Sequence, residues 1–494
     1  MPLPYDGQEF TFHNPDDTEV RVRGWGNQFA AAFETLDGQA VVQDPQTGFF
    51  VYADRMPQLR GDAEIARAEP FASPLAAGHT RWQERLAERR IGAPVGDGPE
   101  AAPPPSGTVG DYVGLCLLVD FRDFPATIDR DEVDAFCNEP GYRGFGNNGS
   151  AYDYFLEVSA GKLRYRNVVT AYYRARRDRS YYTNETVPYP QRAQELIGEA
   201  LAHLKATGFD FSPLTTDDQG FVYATSVFYA GKRSNNWSKG LWPHSWRLDA
   251  PFQAAPGITI SDYQITDIGD RLTLRTFCHE NGHMVCDFPD LYDYGYESKG
   301  IGNYCLMCSG ASDTNPAHVS AYLKYKAGWS NNVTSIAPAS TATVKAGTND
   351  FLIHRKNARE YFILENRQRA GRDAALPDGG LAIWHVDEAA TNNDEQMTTA
   401  HHYECSLEQA DNRFDLEHGV NFGDAGDLFD ATVGKFGKAT RPSSRWWDGS
   451  PSALEIVAVS ASGPTMTVTT AATASPGLRG QRDLFGPGGA GGDE

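Results

Sequence analysis

Between residues 272 and 285 the chain carries two histidines four positions apart, His279 and His283, with Glu280 beside the first, in a largely apolar stretch. Positions i and i+4 share one face of an α-helix, so a helix here aims both imidazoles at one point. A strand would hold the same two side chains roughly 13 Å apart. The pattern therefore predicts a helix over 272–285 and, with it, the zinc-ligand pair and adjacent carboxylate of an H-E-x-x-H site. With only 12 histidines in the chain, chance supplies roughly 0.01–0.02 such patterns. The competing reading is two histidines that pack or cap a helix.

A catalytic zinc takes a third protein ligand and keeps a fourth position open. Asp287, Asp290 and Asp293 follow the helix, and Asp290 is the third ligand expected; Asp287 and Asp293 are weaker candidates, Asp293 reading as a turn residue. The metzincin pattern puts a glycine at the turn after the second histidine. Cys286 stands there instead, and Asp290 comes one residue later than the usual spacing, which a one-residue insertion in the turn accommodates. Downstream, Met307 lies between Asn303 and Gly310, where it reads as the methionine floor beneath the ligands.

The rest of the chain divides around this segment. Residues 10–53 alternate apolar and polar between turn signals and predict a small antiparallel unit, followed by a helix at 81–90. Together 1–92 form an N-terminal unit, and 93–110 is a Pro/Gly-rich linker. The run VGLCLLVDF at 113–121 is continuous enough for a strand buried on both faces. Helical patterns at 151–158, 190–205 and 317–327 complete a catalytic domain over 111–335. From 336 to 473 the pattern is strand-like, and 474–494 has the composition of a disordered tail. The fold class expected is α+β.

The chain's 494 residues carry a net charge of −21, which disfavours nucleic acid and acidic membranes as partners. No stretch is long and apolar enough for a membrane-spanning helix, and the first residues lack the pattern of a signal peptide. Four of the seven cysteines, Cys278, Cys286, Cys305 and Cys308, cluster around the site. A disulfide from Cys286 to Cys305 or Cys308 is the preferred reading over thiolate ligation of zinc. Glu404, Glu408, Asp411, Asp415, Asp424, Asp427 and Asp430 form an acidic stretch that is either a calcium site or a solvated loop.

These motifs, in this order, resemble the immune inhibitor A family of secreted, metzincin-like zinc metallopeptidases. The resemblance covers about residues 10–470 and rests on VGLCLLVDFRD (113–123), Y-x-x-x-x-S-x-G-K-L (154–163), W-P-H (242–244) and the segment 279–293. It continues through L-M-C-S-G (306–310), P-A-H-V-S-A (316–321), E-Y-F-I-L-E-N-R (360–367), G-L-A-I-W-H-V-D (380–387) and G-D-A-G-D-L (423–428). It implies an endopeptidase acting on proteins and peptides through one zinc on His279, His283 and Asp290, with Glu280 as general base. It also implies secretion, an N-terminal pro-region and calcium sites. His244, His318 and His385 fall in these segments and are either ligand-orienting or structural. Tyr292 and Tyr304 are open candidates near the oxyanion. The rivals are a gluzincin with Glu297 as third ligand and a non-catalytic binding protein on the same fold.

Overall fold

The computed structural model describes residues 5–26, 31–53, 80–91, 107–295, 297–393, 397–398 and 401–472. The apolar run at 113–121 falls largely within β6 (Gly110–Asp120), an inner strand of a six-stranded mixed sheet. β6 runs parallel to β7 (Leu163–Val169), β8 (Tyr173–Arg174) and β9 (Thr225–Tyr229). Cys116 and Leu118 face one apolar core, while Leu115, Leu117 and Val119 face another, so the run is continuous because both faces are covered. β11 (Ile258–Asp267) lies parallel to β9, and β10 (His244–Ala255) pairs antiparallel with β11 at the sheet's outer side.

Helices close both faces. α2 (Arg130–Asn138), α3 (Ala151–Val158) and α6 (Leu274–Cys286) bury Phe136, Tyr154, Phe155 and Phe277 on one side. α5 (Gln191–Ala206) presents Leu196, Ile197, Ala200 and Leu201 to the other, with the short α4 (Arg179–Tyr182) beside it. The expected helix at 317–327 is shorter: α7 spans Ala321–Lys326, because Ser320 caps it by accepting from Leu323 N.

The N-terminal unit is a five-stranded antiparallel meander, β1 (Tyr5–His13), β2 (Glu19–Gly26), β3 (Ala31–Thr35), β4 (Ala40–Gln43) and β5 (Phe50–Tyr52). Its apolar face, with Phe10, Phe12 and Val22, packs on Trp237 and Trp242 of the catalytic part. α1 (Arg81–Ile91) follows. The expected linker ends earlier than 110, since Gly110 opens β6 and Trp329 Nε1 donates to Thr108 O at 2.8 Å. Its residues 93–106, and the expected tail at 474–494, lie outside the described residues.

The C-terminal region is β-rich, as expected, but begins slightly before 336. β12 (Asn332–Ser335) already pairs with β14 (Asp350–Arg355), which continues through β15 (Glu360–Arg367), β16 (Gly380–Asp387) and β17 (Cys405–Leu407). A second sheet is built from β13 (Thr341–Lys345), β19 (Thr465–Thr470) and β18 (Ile456–Val459). Among the described residues, no helix is long and apolar enough to cross a membrane.

Candidate metal centre

Every residue of α6 from Phe277 to Cys286 is buried, so this helix is held by packing on all sides. Its first free N–H, on Leu274, is taken by Asn147 Oδ1 at 3.2 Å. Within the helix, Asn281 accepts from Tyr165 Oη at 2.6 Å and so ties the turn between the two histidines to β7. Gly282 admits a close neighbour: a Cβ there would stand 2.9 Å from Met307 Sδ. Met307, fully buried, therefore lies directly against the helix backbone between His279 and His283, the place expected of a floor.

The helix stops at Asp287, whose left-handed backbone (φ 53°, ψ 36°) turns the chain back. The turn is thus made one residue after the position where the pattern wants glycine, which is what a one-residue insertion requires. An aspartate tolerates this conformation better than most residues. Arg85 of α1 fixes it, donating from Nε to Asp287 Oδ1 and from Nη2 to Met284 O, both at 2.9 Å. Phe288 and Pro289 then return Asp290 to the helix.

His279 Nε2, His283 Nε2 and Asp290 Oδ1 form a triangle with all three sides 3.1 Å. A tetrahedral site with bonds of about 2.0–2.1 Å has edges of roughly 3.3 Å, so the triangle is close to one face of such a site. The rings are oriented from behind: His279 Nδ1 lies 3.0 Å from Leu306 O, and His283 Nδ1 lies 2.5 Å from Phe288 O. Those carbonyls demand N–H on Nδ1 and leave a lone pair on each Nε2. Asp290 is steadied through its other oxygen by Tyr294 Oη at 2.7 Å, whereas Oδ1 is buried with no hydrogen-bond partner.

Charge points the same way. Burial lowers the affinity of His283 for a proton. Burial also pushes Asp290 up, but the pull of His283 and the nearness of both imidazoles outweigh it, so its carboxyl is held below the usual range. An ionised, buried carboxylate oxygen and two imidazole nitrogens meeting at one point are the donor set a divalent cation takes. These three residues fit a metal ion.

Glu280 is 2% exposed and accepts a short hydrogen bond from Ser245 Oγ. Ser245 is the second residue of β10, so the outer strand of the sheet passes beside the carboxylate. Trp82 of α1 stacks on the His283 ring, with centroids 4.5 Å apart and planes 20° apart.

The other candidates fall elsewhere. Asp293 accepts from Gly295 N and Ser298 N and shapes a turn, as expected of it. Burial and the neighbouring Glu297 push its carboxyl up to about 8. Neither Asp293 nor Glu297 joins the metal-ligand group, which disfavours the gluzincin arrangement. Tyr304 donates to Asp427 Oδ2 at 2.9 Å, away from the ligands, while Tyr292 packs against Tyr294. His385 is held between Glu360 and Glu408 in the C-terminal sheet. All seven cysteines are free and buried, so the expected disulfide is absent. Burial in an apolar core pushes the Cys278, Cys305 and Cys308 thiols up and keeps them protonated. Of the acidic stretch, Asp411, Asp424 and Asp427 gather with ligand oxygens within 4.8 Å, whereas Glu404 is bonded by Tyr322 Oη and Glu408 by His385.

His244 lies between Trp242 O (2.7 Å) and Tyr263 Oη (3.0 Å), and burial pushes it down to about 4. It folds neutral, while the unfolded chain takes up a proton near pH 6.5. Between pH 6.5 and 4 the unfolded state therefore binds more protons, and stability falls as pH falls. Relative to His244→Gln, the wild type should lose up to about 3 kcal/mol across that window, measured by denaturant unfolding at stepped pH.

Sequence reasoning missed Ser245, Tyr294, Trp82 and Arg85. Each acts through a contact with no local sequence period to announce it. No protein-family model matches the chain, and no curated protein is significantly similar to it.

Proposed function

We propose that the chain is a zinc-dependent endopeptidase of the metzincin-like, immune inhibitor A-like type, cleaving peptide bonds in extracellular proteins. The triangle of His279 Nε2, His283 Nε2 and Asp290 Oδ1 beside Glu280 carries this reading. Zinc held by these three residues would supply Lewis acidity to a water and to a substrate carbonyl. Glu280 takes the proton from the attacking water and passes it to the departing amine. Ser245 holds the carboxylate in place for both transfers. β10 has β11 as its one strand neighbour among the described residues, so its outer edge suits an extended peptide pairing by β-augmentation.

Chelation tests the reading. Removing metal should abolish cleavage of an unstructured protein substrate, and one equivalent of zinc should restore it. Calcium without zinc should restore none of the activity. The acidic trio Asp411, Asp424 and Asp427 is read here as a calcium site, so calcium should instead restore thermal stability lost on chelation. Cleavage that survives complete metal removal would rule out the assignment.

The N-terminal unit is read as a pro-region that covers the site. Trp82 lies on a ligand ring, Arg85 clamps the turn after the helix, and Arg81 pairs with Asp217 at 3.1 Å. Bulky substrates need that helix displaced. Limited proteolysis between the N-terminal unit and β6 should raise activity on a folded protein more than on a short peptide. Equal activity before and after trimming would remove the idea.

A further inference from the structure

A second feature lies at the junction between the catalytic part and the C-terminal sheets. A cleft of about 270 Å³ opens there, lined by Glu157 of α3, by His318 and Lys324, and by Lys345, Arg367 and Arg372 of the C-terminal region. None of these side chains takes part in the metal group.

Two buried nitrogens in this cleft are unspent. Arg372, whose side chain is 2% exposed, stacks over the Tyr154 ring at 4.9 Å. It donates from Nε to Glu157 Oε2 (2.8 Å) and from Nη2 to Asn148 O (3.1 Å), but Nη1 is buried with no hydrogen-bond partner. His318 is in the same position: its Nδ1 is buried without a partner, and its Nε2 lies 3.9 Å from Glu157 Oε1. A buried polar nitrogen left unpaired is costly; Arg372 Nη1 can only donate, and an acceptor shared with it draws the His318 proton to Nδ1.

Most charges that line the cleft are paired with one another. Arg367 is committed to Asp373 through two bonds of 2.7 and 2.8 Å, and Lys324 lies 3.5 Å from Glu365. His318 is pushed down first by burial and then by Lys324, Arg367 and Arg372, against the pull of Asp373. Lys345 adds a further cation at the exposed rim.

We propose that this cleft binds a small oxyanion that accepts from Arg372 Nη1–H and from His318 Nδ1–H, with Lys345 at its mouth. The bound group bridges His318 of the catalytic part to Arg372 of the C-terminal part, and so ties the two together. This inference does not depend on the peptidase reading, and its test needs no substrate.

The full metal-loaded chain is titrated calorimetrically with sodium sulfate and sodium acetate, at ionic strength fixed with chloride. Saturable binding in the millimolar range or tighter is expected, with a matching rise in Tm that levels off. Nonspecific salting-out by sulfate does not level off and would be the same in every variant. Binding of sulfate alone assigns a free inorganic ion, and binding of acetate as well assigns a carboxylate such as a peptide terminus. Arg372→Gln should weaken binding roughly tenfold or more, the scale of a lost charge-assisted hydrogen bond. Because Arg372 also holds Glu157, the exposed Lys345→Ala serves as the variant that must fold, and it should weaken binding by a smaller factor. No saturable binding of either anion to the wild type overturns the proposal. So does affinity unchanged in Lys345→Ala and in whichever of Arg372→Gln and His318→Gln folds.

Discussion

Glu280→Gln should retain one zinc per chain and lose peptidase activity by about 10²–10⁴-fold in kcat, the usual weight of a general base. The expectation follows from where the carboxylate sits. Glu280 is next to His279 on the helix, but it is absent from the ligand triangle and is held instead by Ser245. A neutral amide of the same shape preserves that contact and the packing around it, so metal affinity and thermal stability should hardly change. What it removes is the capacity to accept a proton from water and deliver it to the amine. The readouts are metal stoichiometry, Tm and initial rates on one preparation. Wild-type rates in a variant that still binds zinc would take catalysis away from this residue. A wild type that binds zinc and cleaves nothing would leave the non-catalytic binding protein as the better account.

Much of this site was legible because its key spacing is local. Two histidines four apart, in a stretch apolar enough to be buried, fix both the helix and the ligand pair, since 3.6 residues per turn leaves one arrangement. Asp290 was legible from its distance down the chain, once an extra residue was allowed in the turn; Asp287 supplies that residue and takes the left-handed conformation. The continuous run at 113–121 likewise announced a strand covered on both faces. What resisted reading is what depends on distant partners. Trp82 and Arg85 meet the helix across about two hundred residues, and the stretch that separates them from β6 is a composition-defined linker with no pattern of its own. The cysteines misled for a related reason. Cys278, Cys286, Cys305 and Cys308 cluster in sequence because α6 and the methionine turn both line one apolar core, where a buried thiol serves as a small hydrophobe.

The largest effect on the metal itself should come from Asp290→Asn. The amide can still accept from Tyr294 Oη, so the fold around the turn should survive. The lost charge is the one that faces the two imidazole lone pairs. In the metal-free chain the neighbouring imidazoles favour that charge, so neutralising it should leave Tm unchanged or somewhat lowered. In the metal-loaded chain the same oxygen supplies the only negative charge among the three ligands. Zinc affinity should therefore fall by more than the roughly 10–100-fold typical of losing a residue that merely orients a ligand. Only the second expectation requires metal, which separates a ligand from a structural aspartate. Thermal unfolding with and without saturating zinc reads both: the wild type should gain stability on zinc addition and Asp290→Asn should gain little. An equal gain in both proteins would return Asp290 to the role of a turn residue and reopen the search for a third ligand.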